Sequence, residues 1–163
     1  MTLRLSEFTG RTIYLDTMMP YMLLRGVDEE IKHFFLRIER GEIIAYTSIL
    51  TFDELAYRLL LALIKDNYGG SPLDYLRREE NKMMSEFAEP VSASLLRLRQ
   101  LPNLVVLDVL STDLTMLTEG MILHHLRPRD ALHLAAMYRI GCFDLASNDT
   151  NFDGIPQIRR YAL

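Results

Sequence analysis

The sequence predicts an α/β domain of three layers, in which helices flank a central and mainly parallel sheet. Short apolar runs with β propensity alternate along the chain with longer segments of helical periodicity, and this order is typical of parallel sheets joined by crossover helices. The 163 residues, of which 49% are hydrophobic and 25% are charged, suffice for one domain with its own core. We therefore expect a single domain over residues 1–163.

Four apolar runs predict the strands, because they are short and rich in residues that favour β structure. The runs are 12–15, 43–46, 104–107 and 143–146. In parallel sheets of this kind, functional sites lie beyond the carboxyl ends of the strands. Residues that follow these runs are therefore the first candidates for a functional site.

Five segments have a helical pattern, namely 28–40, 48–65, 92–100, 112–125 and 128–140. Ser48 suits the N-cap of the second segment. Pro128 and Gly141 occupy the preferred positions for those residues at the two ends of the last segment. The predicted helices separate most of the predicted strands, as crossover connections require.

The stretch from residue 66 to about residue 90 interrupts this alternation. Gly69, Gly70 and Pro72 break the helical pattern, and a charged run at 77–82 follows, which predicts an exposed helix. We expect a helical insertion or cap at about 66–90 within the one domain, and not a second domain.

Four acidic residues stand at strand ends or near helix starts in this predicted order. They are Asp16 after the first strand, Glu54 in the helix after the second strand, Asp130 in the first turn of the last helix, and Asp149 after the last strand. Each has an ordinary structural explanation when taken singly: a turn, a solvated helix position, or a favourable charge near a helix N-terminus. Their combination is harder to explain in that way.

A parallel sheet gathers strand ends and helix starts at one edge, so the four carboxylates are expected to converge there. Convergent carboxylates repel each other, and one or two shared cations offset that repulsion. Oxygen ligands of this kind suit Mg²⁺ or Mn²⁺. A cation held in this way can activate water and stabilise the leaving oxygen of a phosphodiester, so the pattern predicts metal-dependent chemistry on phosphate esters.

At these residues the chain resembles the PIN-domain family, and most closely its VapC-like members, the ribonuclease toxins of bacterial and archaeal toxin–antitoxin modules. The segments that carry the resemblance are 13–17, 47–55, 126–136 and 145–152. The last two are specific, whereas the first two are weak when taken alone. The resemblance implies a PIN-like fold over most of the chain and an endoribonuclease that depends on Mg²⁺ or Mn²⁺.

The resemblance also implies roles for individual residues. In the family the matching acids bind one or two Mg²⁺ or Mn²⁺ ions, and this role carries over to Asp16, Glu54, Asp130 and Asp149. Glu54 either binds the metal or positions the attacking water. Ser147 stands at a hydroxyl position that is often Thr in the family, and it is expected to assist as a donor to water, a carboxylate or a phosphate.

Two departures from the family pattern support an alternative function. Met18 stands where Asn or Ser is frequent, and Asn151 replaces a frequent fifth acid. The alternative is a PIN-fold binding module with weak or no nuclease activity. Asp153 is close in sequence but is expected to lie on the far side of Phe152, so we do not expect it to be a ligand.

The partners that the resemblance implies are an RNA substrate, a small antitoxin protein that obstructs the acidic site, and a second copy of the chain in a homodimer. The run 59–64 is apolar on every side, so we expect it to contribute to the antitoxin contact or to the dimer. Phosphate contacts are expected from four arginines: Arg127, Arg129, Arg159 and Arg160.

Composition disfavours other classes of protein. The net charge of −4 argues against a protein that coats nucleic acid non-specifically. No apolar stretch is long enough to cross a bilayer, so we expect a cytoplasmic protein with no membrane segment. The single cysteine, Cys142, is expected to be a small buried thiol.

Three histidines near Asp130 invite a zinc site, but their spacing disfavours it. His124 and His125 are neighbours and point to different sides of a helix. His133, three residues after Asp130, is expected to pack in the core or to bond within its helix, and the alternative is a contact with a carboxylate or phosphate. Phosphatase chemistry is disfavoured because Met18 occupies the place of a second acid. A receiver domain is disfavoured because no lysine lies between residues 142 and 163.

Overall fold

A computed structural model describes residues 3–26 and 28–163 and contains one six-stranded sheet. Its strands are β1 (Leu3–Arg4), β2 (Thr12–Leu15), β3 (Ile44–Ser48), β4 (Leu104–Leu107), β5 (Asp144–Ala146) and β6 (Arg159–Ala162). The order across the sheet is β1-β6-β5-β2-β3-β4, and neighbouring strands are parallel throughout. The predicted α/β class with a parallel sheet is therefore confirmed.

Helices occupy most of the remaining described chain. They are α1 (Met18–Arg25), α2 (Glu29–Glu39), α3 (Ile49–Tyr68), α4 (Pro72–Arg78), α5 (Glu80–Arg99), α6 (Asp113–His124) and α7 (Pro128–Ile140). α7 has Pro128 at its start and ends at Gly141, whose φ of 65° lies in the left-handed region that glycine adopts without strain. Within residues 3–26 and 28–163, no helix has the length and apolarity that a bilayer crossing requires.

The sheet contains two strands that the apolar pattern does not predict. β1 has only two residues, and β6 begins with Arg159 and Arg160. Arg160 is nevertheless buried, because its guanidinium donates to the Asp153 carboxylate and to the carbonyl of Ser147. A strand whose inward side chain is a paired arginine gives no hydrophobic signal.

The stretch at 66–90 holds the end of α3, all of α4 and the first half of α5. α5 is longer than the helical pattern at 92–100 suggests, since it begins at Glu80 and continues through Pro90. Met83 and Phe87 of this half are buried in the core that α3 also joins. That the stretch is an insertion relative to compact family members stays a prediction.

Two hydrophobic cores lie on opposite faces of the sheet, which gives three layers. Ile13 and Leu15 of β2 join the larger core with α2 and α3, whereas Tyr14 between them joins the smaller core with α7. This alternation follows from the pleat of a strand. It places the Tyr14 side chain under α7, close to the carboxyl end of β2.

Candidate metal centre

Asp16 and Ser147 continue the sheet beyond the strands that precede them. The Asp16 backbone nitrogen donates to the carbonyl of Ala146 at 3.1 Å, and that of Ser147 donates to the carbonyl of Tyr161 at 3.0 Å. Both side chains are thereby fixed at the carboxyl edge of the sheet. The Ser147 hydroxyl donates to Asp16 Oδ2 at 2.7 Å.

Asp149 is held by the same hydroxyl. Its backbone nitrogen donates to Ser147 Oγ at 3.0 Å, and its own carboxylate accepts from the backbone nitrogen of Asn151 at 2.9 Å. The Asn151 side-chain nitrogen lies 3.4 Å from Asp149 Oδ2. Asn151, which replaces a frequent acid of the family pattern, therefore orients Asp149.

Glu54 reaches the same edge from the second turn of α3. Its Oε2 accepts a hydrogen bond from the buried Thr17 hydroxyl at 2.6 Å, and the Thr17 backbone nitrogen lies 2.6 Å from Asp16 Oδ1. Burial raises the pKa of Glu54, but His133, Thr17 and Arg129 together more than offset this and hold the pKa below its ordinary value. Thr17, which the sequence analysis does not single out, links the two acids.

Asp130 lies in the first turn of α7. Its Oδ2 is buried and has no hydrogen-bond partner within the described part of the chain. Burial, followed by the charges of Asp149 and Asp16, raises its pKa from 3.8 to about 6. The four predicted acids therefore act on one another electrostatically, as expected of a shared site.

All four acids line one cleft of about 800 Å³. Three arginines line it as well: Arg58, Arg127 and Arg129. Arg129 lies 3.4 Å from Asp53 Oδ2 and 3.9 Å from Glu54 Oε1. The sequence does not single out Arg58. Its Nη1 lies 3.3 Å from the sulfur of Met18.

The phosphate role expected of Arg159 and Arg160 is not supported by their positions. Arg159 forms an ion pair with Asp144, at 2.6 Å and 2.9 Å, and Arg160 is bound to Asp153. Neither arginine lines the cleft. The expectation that Asp153 is not a ligand agrees with its place in the Arg160 pair.

His133 lies beneath the acids on the second turn of α7. It is 1% exposed, its Nδ1 is 2.8 Å from the Tyr14 hydroxyl, and its Nε2 is 3.8 Å from Glu54 Oε2. The burial agrees with the core packing that the sequence favours, and the contact with Glu54 is the alternative, a carboxylate neighbour, that the sequence leaves open. The available signal is its position one turn after Asp130 on the same helix.

The closest group of possible ligands consists of Asp16, Glu54 and His133. One ligand atom from each lies within 4.8 Å of the others. Asp130 and Asp149 line the same cleft without belonging to that closest group. Clustered carboxylates, an unpartnered carboxylate oxygen and a raised carboxyl pKa are what a divalent cation would stabilise, so the residues present fit such a cation.

Comparison with known proteins gives one family match and several similar structures. The PIN domain family model matches residues 13–157. No curated protein sequence matches the chain.

Three similar structures come from bacterial toxin–antitoxin systems. VapBC2 from Rickettsia felis, bound to a DNA fragment from its promoter, has a TM-score of 0.62 at 13% identity. The match covers 93% of this chain and 98% of the Rickettsia chain. A toxin–antitoxin complex from Klebsiella pneumoniae has a TM-score of 0.52 at 14% identity, with coverages of 90% and 94%. VapC20 from Mycobacterium tuberculosis, a toxin that cleaves the sarcin-ricin loop, has a TM-score of 0.55 at 16% identity, with coverages of 90% and 98%. At these identities the likeness is one of fold.

Proposed function

The chain belongs to the PIN domain family, and we propose that it is a metal-dependent endoribonuclease that serves as the toxin of a toxin–antitoxin module. The observation that carries this proposal is the convergence of Asp16, Glu54, Asp130 and Asp149 on one cleft. Two further facts support it. The structural neighbours are toxin–antitoxin proteins, and one of them cleaves an RNA loop.

We assign the metal ligands to the predicted acids. Asp16, Asp130 and Asp149 bind the cation, and Glu54 either binds it or orients the attacking water. When bound, Mg²⁺ or Mn²⁺ supplies Lewis acidity towards a phosphoryl oxygen and lowers the pKa of water. Ser147 keeps Asp16 and Asp149 in register, because its hydroxyl is bonded to both residues.

Glu54 is suited to receive the proton of the attacking water. The carboxylate lines the cleft, and the Thr17 hydroxyl fixes the position of Oε2. This leaves Oε1 as the oxygen that faces the weaker, 3.9 Å contact with Arg129. Because Oε2 is fixed by a hydrogen bond, Oε1 is held in a defined position from which it can accept a proton.

The arginines of the cleft are suited to bind the phosphates that flank the scissile bond. Arg127 and Arg129 are exposed beside Asp130 at the start of α7, and Arg58 lies across the cleft on α3. Positive groups on both sides of an acidic centre hold the RNA backbone, while the acids remain free for a cation.

A second candidate function is a PIN-fold binding module with weak or no nuclease activity. It rests on Met18, which supplies a thioether contact to Arg58 where the family pattern has a polar side chain. Calorimetry discriminates between the two functions, because a binding module without a metal centre takes up neither Mg²⁺ nor Mn²⁺ at millimolar concentration.

The homodimer is also part of the proposal, but its surface differs from the predicted run at 59–64. Leu59, Leu60 and Ile64 are buried in the chain's own core, so only the other half of that run is open to a partner. The outer face of α6 is far more exposed: Ile122 is 71% and Leu123 is 66% accessible to solvent.

We therefore place the contact with a second copy on α6. Leu114, Met121, Ile122 and Leu123 are all exposed there. Together they present about 400 Å² of apolar surface, close to the apolar share of a standard interface that buries about 800 Å² per partner. An exposed apolar surface of this size is within the range of the largest patches on monomers, and such patches are often functional.

The experiment that tests the proposed function is sequencing of RNA ends after brief expression of the protein in a bacterial host. The wild type is expected to produce new ends at defined positions. The Asp130→Asn variant, expressed to the same level, is expected to produce none. Identical RNA ends in the two cultures would overturn the proposal.

A further inference from the structure

We infer that His133 is a nitrogen ligand of the metal centre, and that this ligand makes the centre selective for Mn²⁺ over Mg²⁺. The inference rests on the proposed function, since it concerns the same cleft. It starts from a buried imidazole that lies beside the four acids but is not among the ligands assigned above. His133 is 1% exposed and lies between Tyr14 and Glu54.

The Nε2 atom of His133 has no hydrogen-bond partner among residues 3–26 and 28–163. Burying an imidazole nitrogen without a partner is unfavourable, and native proteins rarely tolerate it. Glu54 Oε2 is the nearby carboxylate oxygen, but 3.8 Å is too long for a hydrogen bond. His133 Nε2 and Glu54 Oε2 are therefore far enough apart for a cation to lie between them.

A shared cation accounts for this spacing. Ligand atoms that bind one cation at about 2.1 Å are themselves about 3 to 4 Å apart. The Nε2–Oε2 distance of 3.8 Å lies in that range, and Asp16 supplies a third ligand atom within 4.8 Å of both. The Thr17 hydroxyl, which donates to the same Oε2, steadies that oxygen.

The other ring nitrogen is arranged as a ligand would require. Histidines that bind metal through one nitrogen usually donate the other N–H to an oxygen, which fixes the tautomer and the ring orientation. His133 Nδ1 lies 2.8 Å from the Tyr14 hydroxyl. With the proton on Nδ1, Tyr14 accepts from the ring, and the lone pair of Nε2 points towards Glu54.

Tyr14 itself is fully buried between β2 and α7. The Tyr14 hydroxyl is buried beside the ring, so it holds the orientation of His133 without competition from water. Glu54 and Asp16 complete the donor set with oxygen.

The donor set determines which cation is preferred. Sites built only from oxygen suit Mg²⁺, whereas an imidazole ligand shifts the preference towards first-row transition ions. Mn²⁺ accepts both donor types, and Mg²⁺ exchanges its water for nitrogen reluctantly. A centre that adds one imidazole to the carboxylates of the cleft therefore favours Mn²⁺ over Mg²⁺ more than a purely carboxylate centre does.

Pulsed electron paramagnetic resonance on the Mn²⁺-loaded protein tests the inference without relying on activity. Two wild-type samples are compared, one of natural isotopic composition and one in which only histidine carries ¹⁵N. A bound imidazole is expected to give ¹⁴N modulation of the Mn²⁺ echo in the first sample, and the modulation should change to the ¹⁵N pattern in the second. Labelling leaves the fold untouched, so the test stands even if a His133 variant fails to fold.

Two variants identify the histidine responsible. His133→Gln is expected to lose the modulation and to reduce the ratio of Mg²⁺ to Mn²⁺ dissociation constants roughly tenfold. His125→Asn, which changes an exposed residue in the left-handed region that Asn tolerates, is expected to retain both properties.

The outcomes separate this inference from the proposed function. Mn²⁺ binding without histidine modulation overturns the role of His133 and leaves an oxygen-ligated nuclease intact. Modulation that survives in His133→Gln also overturns it. Failure of the wild type to bind Mn²⁺ at millimolar concentration overturns the inference together with the metal-dependent function.

Discussion

The Ser147 hydroxyl joins Asp16 to Asp149, donating to the Asp16 carboxylate at 2.7 Å and accepting from the Asp149 backbone nitrogen at 3.0 Å. One small side chain therefore sets the spacing of two residues that are far apart in sequence. Because Ser147 is fully buried, water cannot readily replace these bonds. The hydroxyl, more than the size of the side chain, is what the site needs.

From this arrangement we predict that Ser147→Ala lowers the affinity for Mn²⁺ by about tenfold to a hundredfold, as loss of groups that orient metal ligands generally does. Ser147→Thr keeps the hydroxyl and is expected to restore most of the affinity. Isothermal titration of both variants measures this. Equal affinities for Ser147→Ala and the wild type would contradict the proposed role.

The raised pKa of Asp130 predicts a pH-dependent stability of the metal-free protein. The folded state holds the proton of this carboxyl more tightly than the unfolded state, whose pKa is the ordinary 3.8. Ionising Asp130 therefore lowers the free energy of unfolding as the pH rises towards and through about 6. In EDTA, Asp130→Asn is therefore expected to be more stable than the wild type at pH 8, by about 1 to 2 kcal/mol after allowance for solvent screening of this half-buried group.

Thermal melting at pH 4 and pH 8 checks this expectation. The two proteins should differ little at pH 4 and should separate by several degrees at pH 8. Saturating Mn²⁺ should reverse the order at pH 8, because it binds the protein that keeps all the ligands more tightly and therefore stabilises it more. If Asp130→Asn melts below the wild type at pH 8 in EDTA, the ionised Asp130 carboxylate does not destabilise the folded protein and this prediction is wrong.

The arginines offer a matched pair for RNA binding. Arg127 is exposed and lines the cleft, whereas Arg159 forms an ion pair with Asp144 away from it. Arg127→Ala is expected to weaken RNA binding and to reduce the slope of log affinity against log salt by about 1. Arg159→Ala should leave that slope unchanged. Fluorescence anisotropy measures the slopes, with both arginine variants made in an Asp149→Asn background that prevents cleavage. Equal slopes in the two variants would contradict the assignment.

The α6 surface predicts the oligomeric state. Ile122→Glu places a charge in the centre of the exposed apolar face and is expected to convert a dimer into a monomer, since a buried unpaired charge opposes association. Leu96→Glu, at an exposed apolar residue of α5, is the control and should remain dimeric. Light scattering coupled to size exclusion distinguishes the two. A dimeric Ile122→Glu protein would place the contact elsewhere.

The fold was predictable where hydrophobic patterns are strong. The apolar pattern locates β2 and β5 within a residue because both strands bury apolar side chains, and it locates β4 because that short apolar run has β propensity although none of its side chains is fully buried. α5 begins well before its predicted start. Packing of Met83 and Phe87 in the core outweighs the helix-breaking tendency of Pro90. β6 gave no such signal, since the burial of Arg160 depends on a partner seven residues earlier.

The candidate site was predictable to the extent that it follows strand ends. Asp16, Asp130, Asp149 and Glu54 were located from their place in the α/β order, and they line one cleft. His133 was not, because its contact with Tyr14 joins residues from different layers. Such a contact depends on the pleat of β2 and the rotation of α7, which one sequence does not specify residue by residue.

The central claim is that these acids form a metal centre that cleaves RNA. The most direct measurement is in vitro cleavage of a defined RNA by the purified protein in EDTA and in increasing Mn²⁺ or Mg²⁺, with Asp16→Asn as the matched variant. We predict no cleavage in EDTA, saturable cleavage with added cation, and a loss of at least about a hundredfold in rate for Asp16→Asn despite an unchanged circular dichroism spectrum. Cleavage that persists in EDTA, or that Asp16→Asn retains in full, would contradict the account.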